Sequence, residues 1–245
     1  VELAEELKKR PGFIGGPTNP STPNVVLQLL REYDIDSVVV PGNFELGLAE
    51  FLREHGISCT IYPSPYGPGA SFFPEREIKT ADEISAIEAT QRIIEEVFLM
   101  ARGELEEGRV SSDGILHRRN GEPLTAEYMR GVMNAEFARR DCVSELGLII
   151  APGNQACNPH NFGSGPLRAR EWIVFDIFPR HVRNRYFADM TRTVSKLEPP
   201  ERAITTYKTV LEAQELALSM IREGVDGKDI QEAVENLFKD RNFET

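Results

Sequence analysis

Thiol, indole and imidazole are all scarce in this sequence: three cysteines, one tryptophan and four histidines. Cys59, Cys142 and Cys157 form no CxxC pair and are odd in number. Neither a disulfide framework nor a zinc–thiolate site is therefore indicated. Reduced, mostly packed thiols are expected, which fits a cytoplasmic setting. No apolar run approaches the ~20 residues needed to cross a bilayer, so no membrane partner is expected. No signal-like segment opens the chain, and a start at Val1 implies that the natural N-terminus is missing. Basic residues are outnumbered, 28 Lys and Arg against 39 Asp and Glu, for a net charge of −11. That balance argues against nucleic acid as a partner. There is no internal repeat, and no Gly-Lys-Ser/Thr follows "GPGASFF" to make a phosphate loop.

What is present reads as a soluble α+β protein. In the first stretch, "PNVVLQLLREYD" spaces Val26, Leu29, Leu30 and Tyr33 as one helical face. "SVVVPG" and "ISCTIYP" are short strands, and "FELGLAEFLREHG" between them is a helix that Asn43 can cap and Gly56 can end. A parallel βαβ unit follows from that order. "PSPYGPGASFFPER" is a Pro- and Gly-rich linker. Beyond it, Thr80 and Glu83 make a capping box for a long helix with Ile84, Ile87, Ile94 and Phe98 on one face. "SSDGILHRRNGEP" reads as a loop. Thr125 opens a second helix with Met129, Val132, Met133 and Phe137 inward. Three strands follow, in "LGLIIAPG", "EWIVFDIF" and "RYFADMTRTV", then a helix ended by Gly224 and a last helix striped by Ile230, Val234, Leu237 and Phe238. Strands and helices come in blocks, which favours helices on one face of an antiparallel sheet.

The chemistry concentrates in "FDIFPRHVRNRYFADMTRT", Phe175 to Thr193. Asp176 and Asp189 sit in two apolar segments across a bend and are expected to be buried. Two carboxylates that close cannot both ionise unsupported. A shared proton, an arginine or a metal would resolve the conflict. Arg180, Arg183, Arg185 and Arg192 are the candidate arginines, the first three expected to point to water from the bend. A divalent cation suits carboxylate oxygen well, but a structural hairpin with a capped or ion-paired Asp176 stays open on these residues alone.

Together with "NPHNFGSGPL" upstream, the segment resembles the creatinase, prolidase and aminopeptidase P family of pita-bread metallopeptidases. That family carries D-x10-D-x-T-R-T on a hairpin and a histidine in the loop before it. Asp176 and Asp189 match the two aspartates, Asp189-Met190-Thr191-Arg192-Thr193 matches D-x-T-R-T, and His160 matches the histidine. The leading helix "IKTADEISAIEATQRIIEEVF" also resembles the start of the family's catalytic domain. The resemblance implies residues 1–70 as the end of an α/β N-terminal domain and 71–245 as the first half of a pita-bread domain.

It further implies a metal-dependent exopeptidase that cleaves an N-terminal Xaa-Pro bond of a short peptide, acting as a homodimer. Two divalent ions, Mn²⁺ first with Co²⁺ or Zn²⁺ as alternatives, would be held by Asp176 and Asp189. His160 would steady the oxyanion, and Thr191 would orient a ligating carboxylate or the water. The alternatives are a metal-free pita-bread peptide-binding module and a creatinase-like C–N hydrolase.

Two departures stand out. The interval here is D-x12-D, an even insertion that keeps both aspartates on one face. The family's later histidine and two glutamates have no match, since no histidine follows His181. The chain therefore reads as a fragment, inactive alone, and Glu212 and Glu215 as a solvated helix face. His181 is expected in a solvated turn, His55 at a helix end, His117 in an exposed loop or oligomer contact, Trp172 in packing, and Arg192 in a structural pair with a carboxylate.

Overall fold

The computed structural model describes residues 21–62, 76 and 78–243. Apart from Arg76, the linker at 63–76 lies outside the described residues. The chain divides into two compact units, Val1–Lys79 and Thr80–Thr245.

In the first unit, α1 (Thr22–Glu32), β1 (Ser37–Val40), α2 (Leu46–Glu54) and β2 (Ser58–Ile61) follow in order. β1 and β2 pair in parallel, Ser37 opposite Ser58 and Val40 opposite Ile61, as the strand–helix–strand order requires. Leu27, Leu52 and Ile57 form the small core. Tyr33 does not join it and is 69% exposed. It stands past the last helical residue, and Asp34 then turns the chain at φ 53°, so the helical period no longer applies. Asn43 does not cap α2. The Phe44 amide donates to the Pro41 carbonyl, and this turn leaves Glu45 at the N-cap position. Gly56 ends the helix at φ 85°, as expected.

The second unit opens with α3 (Ala81–Glu107). Its capping box is formed: the Glu83 amide donates to Thr80 Oγ1 at 3.3 Å, and the Thr80 amide to Glu83 Oε2 at 2.8 Å. Ile94, Val97, Phe98, Ala101 and Leu105 face inward, while Ile84, in the first turn, is exposed. The expected loop after α3 instead holds a short hairpin, β3 (Arg109–Val110) with β4 (Leu116–His117), because Leu116 is fully buried. Thr125 accepts from the Tyr128 amide and starts α4 (Ala126–Arg139), whose Met129, Met133 and Phe137 are fully buried.

β5 (Cys142–Val143), β6 (Ile149–Pro152), β7 (Ile173–Ile177), β8 (Arg180–His181) and β9 (Met190–Val194) complete the strands. β6, β7 and β9 form one antiparallel sheet in that order. Alternation decides which side each residue takes. Ile173, Phe175 and Ile177 go into the core with Ile150 and Met190. Phe175 meets Phe98 of α3 edge-on at 5.7 Å. Each such side chain contributes about 1.5–3 kcal/mol by leaving water, which fixes the register. Val174, Asp176 and Thr191 are thereby left on the opposite face.

Trp172 packs as expected. Its Nε1 donates to the Ala203 carbonyl at 3.1 Å and its ring lies 5.6 Å from Tyr207, anchoring the start of α5 (Glu201–Met220). α5 ends four residues before Gly224, whose φ of 83° serves the turn into α6 (Gly227–Asp240). Asp226 caps α6, and Ile230, Val234, Leu237 and Phe238 lie half-buried on it. Among the described residues no helix is long and apolar enough to cross a membrane.

Candidate metal centre

The sheet register puts three positions in one row: Ile149 opposite Asp176, and Asp176 opposite Thr191. Thr191 Oγ1 donates to Asp176 Oδ1 at 2.7 Å. Asp189 precedes β9 by one residue and Thr191 by two, so the strand period turns it to the same face. Partial burial of its carboxyl, and then the negative charge of Asp176, raise the Asp189 pKa above the usual Asp value. The Met190 backbone opposes this by hydrogen bonding to it. Asp189 therefore feels the charge of Asp176.

Neither is as buried as the apolar flanks imply. Asp176 is half-buried and Asp189 exposed, because they belong to the face away from α3 and α4. No arginine neutralises them among the described residues. Arg180 does not point to water. It is only 9% exposed, with Nε 3.0 Å from Glu145 Oε2, Nη2 on Glu145 Oε1, and Nη1 without a partner. Arg183 pairs with Asp141 at 2.9 Å, and Arg192 donates from Nη1 to the Thr191 carbonyl at 2.8 Å instead of pairing with a carboxylate. The segment between the aspartates is more than a bend. β8 leaves the hairpin and pairs with β5, Cys142 opposite His181, which carries Arg180 inward. His181 Nδ1 accepts from the amides of Arg183 and Asn184 at 3.3 and 3.4 Å, so it shapes the turn.

A hollow of ≈ 220 Å³ opens beside the row. Ile149, Ala151, Val174, Asp176 and Thr191 line it from the sheet, and Ala156, Asn158 and Pro159 from the loop after β6. That loop begins as a 3₁₀ turn, Gly153–Cys157. His160 comes after Asn158 and Pro159, exposed, with its amide on Asn158 Oδ1 at 2.9 Å. The fold thus brings Asp176 and Thr191 together with the segment before His160. The His160 and Asp189 side chains are not among the lining residues. Cys157, expected to be packed, is exposed because it lies on this turn; Cys142 is buried and Cys59 intermediate.

Two hard carboxylates are suitable donors for a divalent cation, and their mutual repulsion is what such a cation would relieve. Among the described residues, however, no group of three or more His, Cys, Asp and Glu side chains is placed to hold an ion. Glu212 is occupied by Arg241 at 2.6 Å. The residues present fit one side of a metal site and do not complete it.

Sequence reasoning missed how the loop is fastened. Glu127 and Arg130 of α4 and Gln155 all bond to residues 162–165. Nothing in an ordinary surface turn of a helix signals partners that distant in sequence. The Gly-rich run "NFGSG" was the available hint, since close backbone approach calls for glycine.

The profile of metallopeptidase family M24 matches residues 85–245. An uncharacterized peptidase of Staphylococcus aureus (strain USA300) is 28% identical over 169 residues, which cover 69% of this chain and 44% of that protein. Among solved structures, an X-Pro aminopeptidase from Thermotoga maritima MSB8 superposes with a TM-score of 0.69 at 19% identity, over 91% of this chain and 58% of that one. A prolidase from Pyrococcus furiosus gives a TM-score of 0.65 at 20% identity, over 91% and 59%. The fold is thus the pita-bread type, and the chain spans about half the length of the curated relatives it matches.

Proposed function

The chain belongs to metallopeptidase family M24, and from that premise we propose that it carries part of the active site of an Xaa-Pro exopeptidase. The observation that carries the reading is that Asp176, and Asp189 two residues before its cross-strand partner Thr191, share one side of the sheet with no arginine paired to either among the described residues. The peptide specificity is supported by the X-Pro aminopeptidase and prolidase among the structural likenesses.

In this reading Asp176 and Asp189 would supply part of the ligand set for two divalent ions, manganese by preference with cobalt or zinc as substitutes. Such ions supply a Lewis acid and a water of lowered pKa. Thr191 fixes the rotamer of Asp176 by occupying Oδ1. The apolar hollow of Ile149, Ala151 and Val174 receives a short peptide, and the His160 ring donates to the oxyanion formed as its carbonyl is attacked. In this reading the remaining ligands are not supplied by this chain, so the chain alone is not expected to turn over. The active form is a cytoplasmic homodimer.

Manganese binding and hydrolysis of Xaa-Pro dipeptides and longer Xaa-Pro peptides test this on the chain and on its full-length parent. Turnover by the parent, abolished by Asp176→Asn, is the expected result. A parent that binds the peptides without manganese and never cleaves them would mark a metal-free binding module instead.

A further inference from the structure

We propose that Glu127 and Arg130, one turn apart on α4, are positioning residues that hold the His160 loop against β6. The inference rests on the reading of His160 given above, but its geometry is separate. Arg130 Nη1 donates to two successive carbonyls, Phe162 at 2.5 Å and Gly163 at 2.9 Å. The Glu127 carboxylate accepts the Gly165 amide on both oxygens, at 3.0 and 3.1 Å. The two side chains are 4.0 Å apart, so each sits in the favourable field of the other. One cationic donor and one anionic acceptor thus grip the outgoing arm of the loop.

The arm has no slack. The Ile150 amide donates to the Phe162 carbonyl at 3.1 Å, tying the loop to β6 one residue from Ile149, the partner of Asp176. Gly163 lies so close that a Cβ there would stand 1.8 Å from the Ile150 carbonyl oxygen. Charge-assisted bonds are the stronger kind, and both residues are spent on backbone groups of the loop. A plain helix-terminal role for Glu127 would need no contact with Gly165. The Gly165 amide, foremost, holds the Glu127 carboxyl below its ordinary pKa, so the grip is present at neutral pH and weakens on acidification through that lowered value.

The test uses the 245-residue chain and the variants Glu127→Ala, Glu127→Gln, Arg130→Ala and Arg130→Lys. Amide hydrogen exchange at Gly165 and Ile150 is followed by NMR, with the His160 ring resonances and thermal unfolding in parallel. In Glu127→Ala we expect exchange at Gly165 to quicken at least about tenfold, the loss of its charged hydrogen bond, and in Arg130→Ala exchange at Ile150 to quicken as the Phe162 carbonyl loses its anchor. The His160 ring signal should shift or broaden, with partial recovery in Arg130→Lys. Loss of α4 stability alone would lower the unfolding temperature and leave the native ring signal in place. Unchanged exchange and ring signals in the alanine variants would overturn the proposal. If an alanine variant does not fold, Glu127→Gln and Arg130→Lys decide by the same two signals. Adding an Xaa-Pro dipeptide with manganese to the full-length parent tests His160 itself. A loop that loosens while the His160 ring ignores the peptide would keep the positioning role and refute the oxyanion role.

Discussion

Thr191 and Asp176 face each other across β7 and β9, joined by a 2.7 Å hydrogen bond from the hydroxyl to one carboxylate oxygen. The bond consumes a single lone pair of Asp176 and locks its orientation. Thr191→Val keeps the shape and removes the donor. Manganese affinity of the full-length protein should fall about tenfold, read by titration calorimetry. An unchanged affinity would mean that the hydroxyl only fills the strand.

Asp189 gives a pH-dependent prediction. Its folded pKa is raised, first by the partial desolvation of a carboxyl that still reaches solvent and then by the charge of Asp176. Ionised Asp189 thus opposes folding, and the opposition disappears as pH falls below the ordinary Asp value. Asp189→Asn should unfold at a higher temperature than the parent chain near pH 7 and at the same temperature near pH 3. Melting curves at the two pH values check this. A lower melting temperature for the variant at pH 7 would deny the repulsion between the two carboxylates.

Gly163 and Gly121 separate crowding from backbone strain. Both have positive φ, 78° and 85°, but an added Cβ at Gly163 would overlap the Ile150 carbonyl, while none lies near at Gly121. Gly121→Ala should cost about 1 kcal/mol. Gly163→Ala should cost about 3 kcal/mol or more, lowering the unfolding temperature by roughly 6–12 °C for a chain of this size. Equal costs would mean that the loop can lift from β6.

Arg180 and Glu145 are coupled but unequal. Arg180 is the buried member and already has one nitrogen without a partner, whereas Glu145 reaches solvent. Glu145→Ala should therefore destabilise more than Arg180→Met, since it strands a buried cation while the reverse change leaves a carboxylate that water can reach. Chemical denaturation of the two variants decides the order.

The parts of the fold visible in the sequence were those set by local rules. The Thr80–Glu83 capping box, the Thr125 cap and the period-two alternation that keeps Asp176 and Asp189 on one face each depend on local rules. The two aspartates were visible as a pair because that alternation assigns faces. Their exposure was not, since an apolar flank says that a strand is packed without saying on which side. Arg180 misled for a related reason: its neighbourhood is polar, but β8 pairs with β5, a contact no local pattern encodes. The clamp by Glu127 and Arg130 was hidden for the same cause.

The uneven burial of the three thiols has a practical use. Cys142 is buried, and burial, then the neighbouring Asp141, push its thiol pKa up. Cys157 stands open on the turn that leads to Asn158 and Pro159. A maleimide fluorophore added near neutral pH should react there ahead of Cys142, placing a reporter beside the hollow without engineering a new attachment point.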